Sequence, residues 1–330
     1  RLSRVGSEMC IRDRYEYDAL YRLTEATGRE HAGTGGDVQR DDEDIPIMNL
    51  PHENDSTALR NYTEQYEYDA VGNVLKLIHQ AGMVGTWTRG YGYEEGSNRL
   101  EATSLAGDDV EDPETYSAEY THDAHGNMTA MPHLASVEWD YADRMRETDL
   151  GGGGTVYFTY DAAGQRVRKV WVHSGIVEER IYVGGGYEVY RRWEGMGPDL
   201  VLERETLHVM DDAQRVAMVE TKTVDTSAGS FTPTPRMRYQ LGNHLGSAML
   251  EVDEAGAVIS YEEYHPYGTT AYHSGDGAVE VSARRYRYTG KERDEETGLY
   301  YHGARYYAPW LGRWTAADPA GMVDGPNLYA

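Results

Sequence analysis

Residues 66–74, with the sequence YEYDAVGNV, decide the fold. Side chains alternate between the two faces of a strand, so Tyr66 and Tyr68 place two rings on the same face. The Asp-x-x-Gly that follows is typical of a type I turn, in which Asp69 accepts hydrogen bonds from backbone N–H groups and Gly72 takes a positive φ at little cost. Apolar and polar residues alternate again after the glycine. The unit therefore predicts a β-hairpin.

This unit recurs along the chain. Three further copies of the turn are Asp123 with Gly126 (YTHDAHGNM), Asp161 with Gly164 (YFTYDAAGQRV) and Asp253 with Gly256 (VDEAGAV, without the tyrosines). Partial copies begin at Tyr15, Tyr91 and Trp139. The anchors recur roughly 20–50 residues apart, a spacing that indicates a repeat array. A lone hairpin is marginal in water, so we predict an all-β fold in which antiparallel hairpins add edge to edge into one long, curved or spiral sheet.

The composition supports a thin sheet. The chain has 28 Tyr and only 2 Phe, and a buried Tyr hydroxyl needs a hydrogen-bond partner, so heavy use of Tyr is typical of half-wet strand surfaces. Sustained helical periodicity is nearly absent, and residues 144–149 and 211–219 have room for a helical turn or two at most. Stretches rich in Gly, Asp, Thr and Pro predict loops at 32–57, 107–115 and 222–236.

Charge and segment composition exclude several classes of protein. The net charge of −25 repels nucleic-acid phosphates and anionic membranes, so we expect neither as a partner. No apolar run approaches the roughly 20 residues that span a bilayer, so no membrane insertion is expected. Cys10 is the sole cysteine, so no intrachain disulfide can form. Residues 1–14 lack both a signal-peptide core and the repeat pattern, and we interpret them as foreign to the fold.

The Tyr-Asp units resemble the Rhs/YD-repeat family, and the C-terminal third resembles the Rhs-associated core. The motifs that carry this second resemblance are YQLGNHLGS (239–247), YEEYHPYG (261–268), YTGKERDEETGLYY (288–301), ARYYAPWLGRW (304–314) and DPAG with GPNLY (318–329). The resemblance implies a YD-repeat sheet array over 15–235 and a core over 236–330 whose pattern breaks off before its end.

The resemblance also implies a function. Relatives include the C subunits of insecticidal toxin complexes and related polymorphic toxin carriers, whose spiral sheet forms a hollow shell around a C-terminal effector. For this chain we therefore expect a structural carrier with the core as an inward plug. The expected partners are its own effector segment, absent here, and a toxin subunit that completes the shell. The expected location is secreted or at the bacterial cell surface.

A different class of function stays open from the residues alone. YD-repeat proteins also occur as contact proteins at cell surfaces, and exposed aromatic rings stack on sugars. The alternative hypothesis is therefore an adhesion or carbohydrate-binding protein. Its candidate rings are Trp87, Trp139, Trp171 and Trp193.

The resemblance places self-cleavage near Asp318. Two carboxyl groups held close share one proton and serve as base and acid, as in aspartic proteases. Asp318 occupies the family's Asp-Pro-x-Gly acid, Asp324 is a weaker candidate for its partner, and Arg313 is a candidate to stabilise the pair. The intact parent is then an autoprotease, whereas this chain is expected to lack the scissile bond and effector activity. For Asp69, Asp123 and Asp161, turn capping is the favoured role.

Other candidates do not match a known site. The acidic clusters 41–44 and 108–112 lack the spacing of an EF-hand loop, and solvated charge is favoured over Ca²⁺ binding. The glycine runs 151–154 and 184–186 lack the context of a phosphate loop and predict hairpin ends. His244 with Ser247 does not form a nucleophile elbow, and we expect that imidazole to pack within the sheet. The 12 histidines lack the i, i+4 spacing of a zinc helix, so neither a metal nor a cofactor is predicted.

Overall fold

The computed structural model describes residues 13–33, 58–195, 199–212, 214–275, 284–323 and 325–330. Within these ranges the chain forms 25 β-strands and two 3₁₀ turns, Pro113–Thr115 and Tyr288–Gly290, and no α-helix. The described part contains no helix with the length and apolar character that crossing a bilayer requires. The all-β prediction is confirmed.

The array begins with a seven-stranded antiparallel sheet in which every strand pairs with its neighbour in the sequence. Its strands are β1 (Arg14–Tyr17), β2 (Leu23–His31), β3 (Leu59–Tyr68), β4 (Val74–Gln80), β5 (Trp87–Tyr93), β6 (Leu100–Thr103) and β7 (Ala118–Glu119). A two-stranded hairpin follows, made of β8 (Thr121–His122) and β9 (Met128–Ala130). The family boundary drawn at 14/15 falls inside β1, because Arg14 already pairs with Thr27.

A twelve-stranded sheet continues the same hairpin order without a crossover. Its strands are β10 (Ser136–Trp139), β11 (Met145–Asp149), β12 (Thr155–Tyr160), β13 (Arg166–His173), β14 (Ile176–Val183), β15 (Tyr187–Glu194), β16 (Leu200–Asp211), β17 (Gln214–Asp225), β18 (Arg236–Gly242), β19 (Ala248–Val252), β20 (Val258–Tyr264) and β21 (Thr270–Gly275). The boundary drawn at 235/236 does not interrupt the ladder, since Ala217 of β17 pairs with Tyr239 of β18.

Residues 284–330 form a separate unit, here called the inner segment. It carries a small four-stranded sheet of β22 (Glu292–Arg293), β23 (Tyr300–Tyr301), β24 (Tyr306–Ala308) and β25 (Arg313–Trp314).

The recurring turns are built by the aspartate side chain. Asp69 Oδ1 accepts from the backbone N–H groups of Val71 at 2.9 Å and Asn73 at 2.8 Å, while the N–H of Gly72 donates to the Asp69 carbonyl. Gly72 has a φ of 93°. The same bonds form at Asp123, Asp161 and Asp253, with φ values of 92°, 80° and 77° at Gly126, Gly164 and Gly256. Each of these turns joins two paired strands, so the acid fixes the reversal of the backbone.

The turn tolerates variation in its residues. Asn243 makes the same two bonds as the aspartates, to the N–H groups of Leu245 and Ser247. At Asp18 and Asp140 the position of the glycine is taken by Tyr21 and Asp143, which have φ values of 62° and 55°. The side-chain acceptor is therefore the constant element, and the glycine only lowers the strain.

Two stretches expected to allow helical turns are strands instead. Residues 145–149 form β11, and residues 211–219 form the end of β16, a turn and the start of β17. Pairing with neighbouring strands overrides weak local helix propensity. The loop expected at 222–236 is shorter, because β17 continues to Asp225, and the loop at 107–115 contains the first 3₁₀ turn. Most of the loop at 32–57 lies outside the described residues.

The array curls until its last strands meet its first, in a contact here called the seam. Arg29 of β2 donates from Nε to Glu263 of β20 at 2.7 Å. His31 stacks on Tyr272 of β21 with ring centroids 6.2 Å apart. These contacts join residues more than 200 positions apart, and the curled array, here called the ribbon, packs against the inner segment with strands of both large sheets.

An aspartate turn should tolerate asparagine and lose stability with alanine. In Asp253→Asn the Oδ1 acceptor remains, as Asn243 demonstrates in the neighbouring turn. In Asp253→Ala two backbone N–H groups lose their partner, and we expect the free energy of unfolding to fall by about 1–2 kcal/mol. Urea denaturation of both variants measures this. Equal losses in the two variants would contradict the role of the acceptor.

Candidate functional site in the inner segment

Asp318 lies in a turn of the same type as the repeat turns. Its Oδ1 accepts from the N–H of Ala320 at 2.8 Å, and the N–H of Gly321 donates to its carbonyl at 2.9 Å. Gly321 has a φ of 72°. The N–H of Asp318 donates to the carbonyl of Leu328, so the last residues fold back along this turn. Oδ1 is thus used for the turn, and Oδ2 lies against Arg305.

The cation beside Asp318 is Arg305, which the sequence did not single out. Its Nη2 lies 2.9 Å from Asp318 Oδ2, with about a fifth of each side chain exposed. Arg313, the residue predicted for this role, is buried elsewhere: its guanidinium lies over the rings of Tyr93 and Tyr329 and donates to the Asn98 carbonyl.

The second acid of the predicted pair, Asp324, lies outside the described residues. Within the described part, Asp318 therefore pairs with a cation and with backbone N–H groups. The Asp318 carboxylate is held in a fixed position, which is a requirement for a group that reacts with a neighbouring peptide bond.

The end of the chain is held by the repeat turns themselves. Tyr329 Oη donates to the Gly126 carbonyl at 2.8 Å, and Asn327 Nδ2 donates to Asn73 Oδ1 at 3.0 Å. Thr315 extends the same contact, because its carbonyl accepts from the N–H of Met128 at 2.8 Å. The segment that contains Asp318 is therefore positioned by turns from the first half of the array.

One half of the inner segment packs against apolar and aromatic side chains of the ribbon. A buried cluster joins Leu299, Tyr306, Ala308, Trp310 and Leu311 of the segment to Tyr66, Leu100, Met128, Met145, Val156 and Phe158 of the strands. Buried Tyr hydroxyls find partners here: Tyr160 and Tyr306 share a hydrogen bond of 3.0 Å. The sheets, here called the wall, therefore have a packed core where the inner segment covers them.

The other half of the contact is ionic. Arg166 of β13 donates to Asp294 at 2.6 Å and to Glu292 at 2.7 Å, and Lys169 donates to the second oxygen of Asp294 at 2.7 Å. At most a tenth of any of these side chains is exposed. Burial alone would raise the pKa of the Asp294 carboxyl, but Arg166 and Lys169 lower it, so the group is held as a carboxylate.

Similar buried ion pairs continue around the ribbon. Arg285 binds both Glu188 of β15 and Glu292, and Arg287 donates from Nε to Glu262 of β20 at 2.9 Å. Burial would raise the pKa of Glu188, but Arg285, His208 and Arg180 hold it well below its usual range. Alternating strand positions normally suggest that charged residues face water, so the sequence interpretation missed these anchors. The dense KERDEE run at 291–296 is the signal that could have indicated a charged surface opposite it.

A third group of side chains meets at the seam. Glu30 of β2, His79 of β4 and His265, which follows β20, place their ligating atoms within 4.8 Å of one another. Glu30 Oε2 lies 3.1 Å from the Nε2 atoms of both histidines. Burial would lower the pKa of His79, but Glu30 and Glu64 raise it to about 9. Spacing along the sequence could not reveal this group, because Glu30 and His79 lie on separate strands and His265 lies in a distant turn.

Several sequence candidates occupy plain structural positions. His244 is exposed in its turn, so it does not pack within the sheet as expected. In the 108–112 cluster, Asp108 and Asp112 accept from local backbone N–H groups. The glycine runs 151–154 and 184–186 lie between β11 and β12 and between β14 and β15. Residues 41–44 lie outside the described part.

The tryptophans proposed for sugar stacking are half-buried. Trp87 stacks on His79 with centroids 5.0 Å apart, Trp139 donates to the Met128 carbonyl, and Trp171 stacks on His173 at 3.7 Å. These three rings already have internal partners, which does not favour the carbohydrate-binding alternative.

Comparison with known proteins identifies relatives among toxin subunits. The toxin subunits YenC2 and YenC1 of Yersinia entomophaga have 36% and 35% sequence identity to this chain, and each alignment covers 96% of it. The chain spans 32% and 31% of their lengths, about a third. The crystal structure of TcdB2–TccC3 is similar to this chain with a TM-score of 0.79 and 29% sequence identity. The match covers 96% of this chain and 15% of the TcdB2–TccC3 chain. No protein-family model matches the chain.

Removing one buried acid should destabilise the contact far more than removing an exposed one. Asp294→Ala leaves Arg166 and Lys169 each short of a partner in a dry site, and we expect the free energy of unfolding to fall by about 3–5 kcal/mol. Glu138→Ala breaks the exposed ion pair with Arg146 and should change the free energy of unfolding by less than about 1 kcal/mol. Thermal and urea denaturation compare the two. Similar values would contradict a buried ionic anchor.

Alanine substitutions at two turn glycines with similar φ values distinguish backbone strain from the contact that holds the chain end. An added Cβ at Gly72 meets only Asn327 Nδ2, at 4.0 Å, whereas at Gly126 it would lie 2.4 Å from Tyr329 Oη. Both alanine variants should lose about 1–2 kcal/mol from the positive φ. Only Gly126→Ala should also release the chain end, measured as faster hydrogen exchange over 314–330. Equal exchange in both variants would show that Tyr329 does not hold the end.

Proposed function

The chain is an Rhs-repeat relative of the C subunits of bacterial toxin complexes, and from this premise we propose that it forms part of the wall of a carrier that encloses a C-terminal effector. The toxin-subunit relatives and the shell-like all-β fold support the carrier role. Enclosure of a cargo and self-cleavage are the finer parts of the proposal, and each is argued from the described contacts.

The observation that carries the proposal is the position of the inner segment. Arg166 and Glu262 anchor the segment to the twelve-stranded sheet, and the aromatic cluster joins it to strands of both large sheets. Ala330 lines a cavity of about 670 Å³ together with Tyr62 and Tyr267. A chain that continues from Ala330 would start inside this cavity, on the inner face of the wall.

Self-cleavage in a longer parent is supported by the geometry at Asp318. The turn holds one carboxylate oxygen, and Arg305 lies against the other. We assign Asp318 as one acid of a pair, with Asp324 or an acid further along the chain as its partner. Arg305 takes the electrostatic role first given to Arg313, whose guanidinium is used to pack Tyr93 against Tyr329.

The partners follow from the same proposal. The effector segment would be the occupant of the inner face, and a second toxin subunit would complete the wall. The TcdB2–TccC3 structure, which joins two toxin components, supports such a partner. The proposed location is secreted or at the bacterial surface. The net charge of −25 continues to disfavour nucleic acid as a ligand of the wall.

Substituting Asp318 in a chain extended past Ala330 tests the self-cleavage part. Asp318→Asn keeps the turn acceptor and removes the acid, so cleavage should slow by at least about 100-fold. Arg305→Gln keeps the carboxylate and should slow it less. Asp253→Asn, the same change in an ordinary repeat turn, is the matched control and should leave the rate unchanged. Gel time courses with mass spectrometry of the new terminus measure all three. Wild-type cleavage in Asp318→Asn would leave Asp318 as a turn residue only.

Limited proteolysis of the same extended chain tests enclosure separately. The segment after Ala330 should resist protease while the wall is folded, and should become sensitive at the denaturant concentration that unfolds the wall. A segment digested at the same rate with and without the folded wall would overturn the carrier proposal. That result would not depend on whether Asp318 cleaves anything.

A further inference from the structure

From the geometry at the seam we infer that Glu30, His79 and His265 form a binding site for a zinc ion, which ties the first strands of the ribbon to the last. The two imidazole nitrogens and one carboxylate oxygen form a ligand set that Zn²⁺ prefers, whereas Ca²⁺ and Mg²⁺ prefer oxygen ligands only.

The carboxylate oxygen lies close to tetrahedral spacing from both imidazole nitrogens, and all three ligand atoms lie within 4.8 Å of one another. Zn–N and Zn–O bonds of about 2.0–2.1 Å place neighbouring ligand atoms of a tetrahedron about 3.3–3.4 Å apart. Glu30 Oε2 lies 3.1 Å from Nε2 of His79 and 3.1 Å from Nε2 of His265. The two imidazole rings lie edge to face, at 83°, with centroids 5.6 Å apart. Both Nε2 atoms therefore approach the same carboxylate oxygen, and small shifts of the side chains open a position for the ion between them.

The outer contacts orient each ligand in the way that a metal site requires. His79 Nδ1 lies 3.0 Å from Glu64 Oε1, and His265 Nδ1 lies 3.1 Å from Thr269 Oγ1. A proton on each Nδ1 leaves the Nε2 lone pair free for the ion, and a carboxylate partner makes the imidazole a stronger ligand. Arg60 binds the other oxygen of Glu30 and fixes which oxygen faces the histidines.

Packing makes the site rigid and leaves it an entrance. Trp87 and Tyr62 stack on His79 at centroid distances of 5.0 and 5.3 Å, and Glu30 and His79 are each 2% exposed. His265 and Tyr62 line the cavity of about 670 Å³, which gives an ion a path inward. Three protein ligands leave one position for water on that side.

The arrangement has a consequence for the ribbon. Glu30 and His79 belong to the first sheet, and His265 lies in the turn between β20 and β21. An ion shared among them would bridge the seam next to the Arg29–Glu263 ion pair. Zinc that binds only the folded protein would stabilise the folded ribbon by mass action. This inference is independent of the carrier role.

Zinc binding to the purified protein tests the site. After removal of metals with EDTA, the wild type should take up one Zn²⁺ with an affinity that His265→Gln and His79→Gln reduce by more than about 100-fold. Glu64→Gln, which alters only the outer contact, should weaken binding about 10–100-fold. His125→Gln is the matched control, because His125 is exposed in a repeat turn and pairs with Asp143. Isothermal titration calorimetry gives the affinities.

Two further measurements distinguish this site from other zinc-binding groups and from misfolding. Bound Co²⁺ should show the intense visible bands of tetrahedral coordination in the wild type and in His125→Gln only. Zn²⁺ should raise the melting temperature of the wild type and leave that of His265→Gln unchanged. His265 lies in a turn, so this variant should retain the strand circular dichroism even if His79→Gln does not. Zinc uptake that is absent in the wild type, or that survives His265→Gln, would overturn the inference.

Discussion

The structure depends on one short interaction: an aspartate oxygen that accepts two backbone N–H groups across a four-residue reversal. Asp69, Asp123, Asp161 and Asp253 all make it, and Asn243 makes it with an amide oxygen. Because these reversals are closed by their own local bonds, the strand after each of them pairs with the strand before it, and the described strands add hairpin to hairpin without a crossover. The order of strands in both large sheets is thus a direct result of turn chemistry.

The turns also hold the segment inside the ribbon. Gly126 and Asn73, which belong to two of these reversals, bind Tyr329 and Asn327 at the end of the chain. Asp318 lies in a related turn within the inner segment, where its Oδ1 accepts one backbone N–H group, that of Ala320. A single local motif therefore builds the wall and positions the residues that the wall surrounds. The proposed acid of the carrier is a turn residue whose second oxygen pairs with Arg305.

Much of the fold could be predicted from the sequence, because the motif is local. The Asp-x-x-Gly spacing identifies its reversal within four residues, and the alternation around it identifies the strands. Contacts across the ribbon could not be predicted in the same way. Arg166 and Lys169 alternate with Val167 and Val170 on β13, and nothing within that strand indicates that the charged side chains are buried. Their partners lie more than 120 residues away, and only the curl of the ribbon brings them together.

The candidate site shows the same limit. The resemblance of the Asp-Pro-Ala-Gly motif located Asp318, yet the cation beside it is Arg305, since the chain end folds back along β25 and leaves Arg313 between two rings. Likewise, Glu30, His79 and His265 are unremarkable in the sequence and meet only because the last strands return to the first. Residues that lie together at these sites are far apart in the sequence, and the curl of the ribbon brings them into contact.

The inner segment is held by an aromatic half and an ionic half, and the stabilisation from the two halves changes with temperature for different reasons. Burial of apolar surface gives less stabilisation on cooling, because its driving force near room temperature is entropic. The penalty for removing charges from water falls on warming, since the hydration of ions has a strongly negative entropy. Tyr306 and its neighbours should therefore dominate the contact at moderate temperatures, and Arg166 with Asp294 should carry a growing share of it in the heat. The ionic half therefore supports docking most at high temperature, where the stabilisation from apolar burial no longer grows.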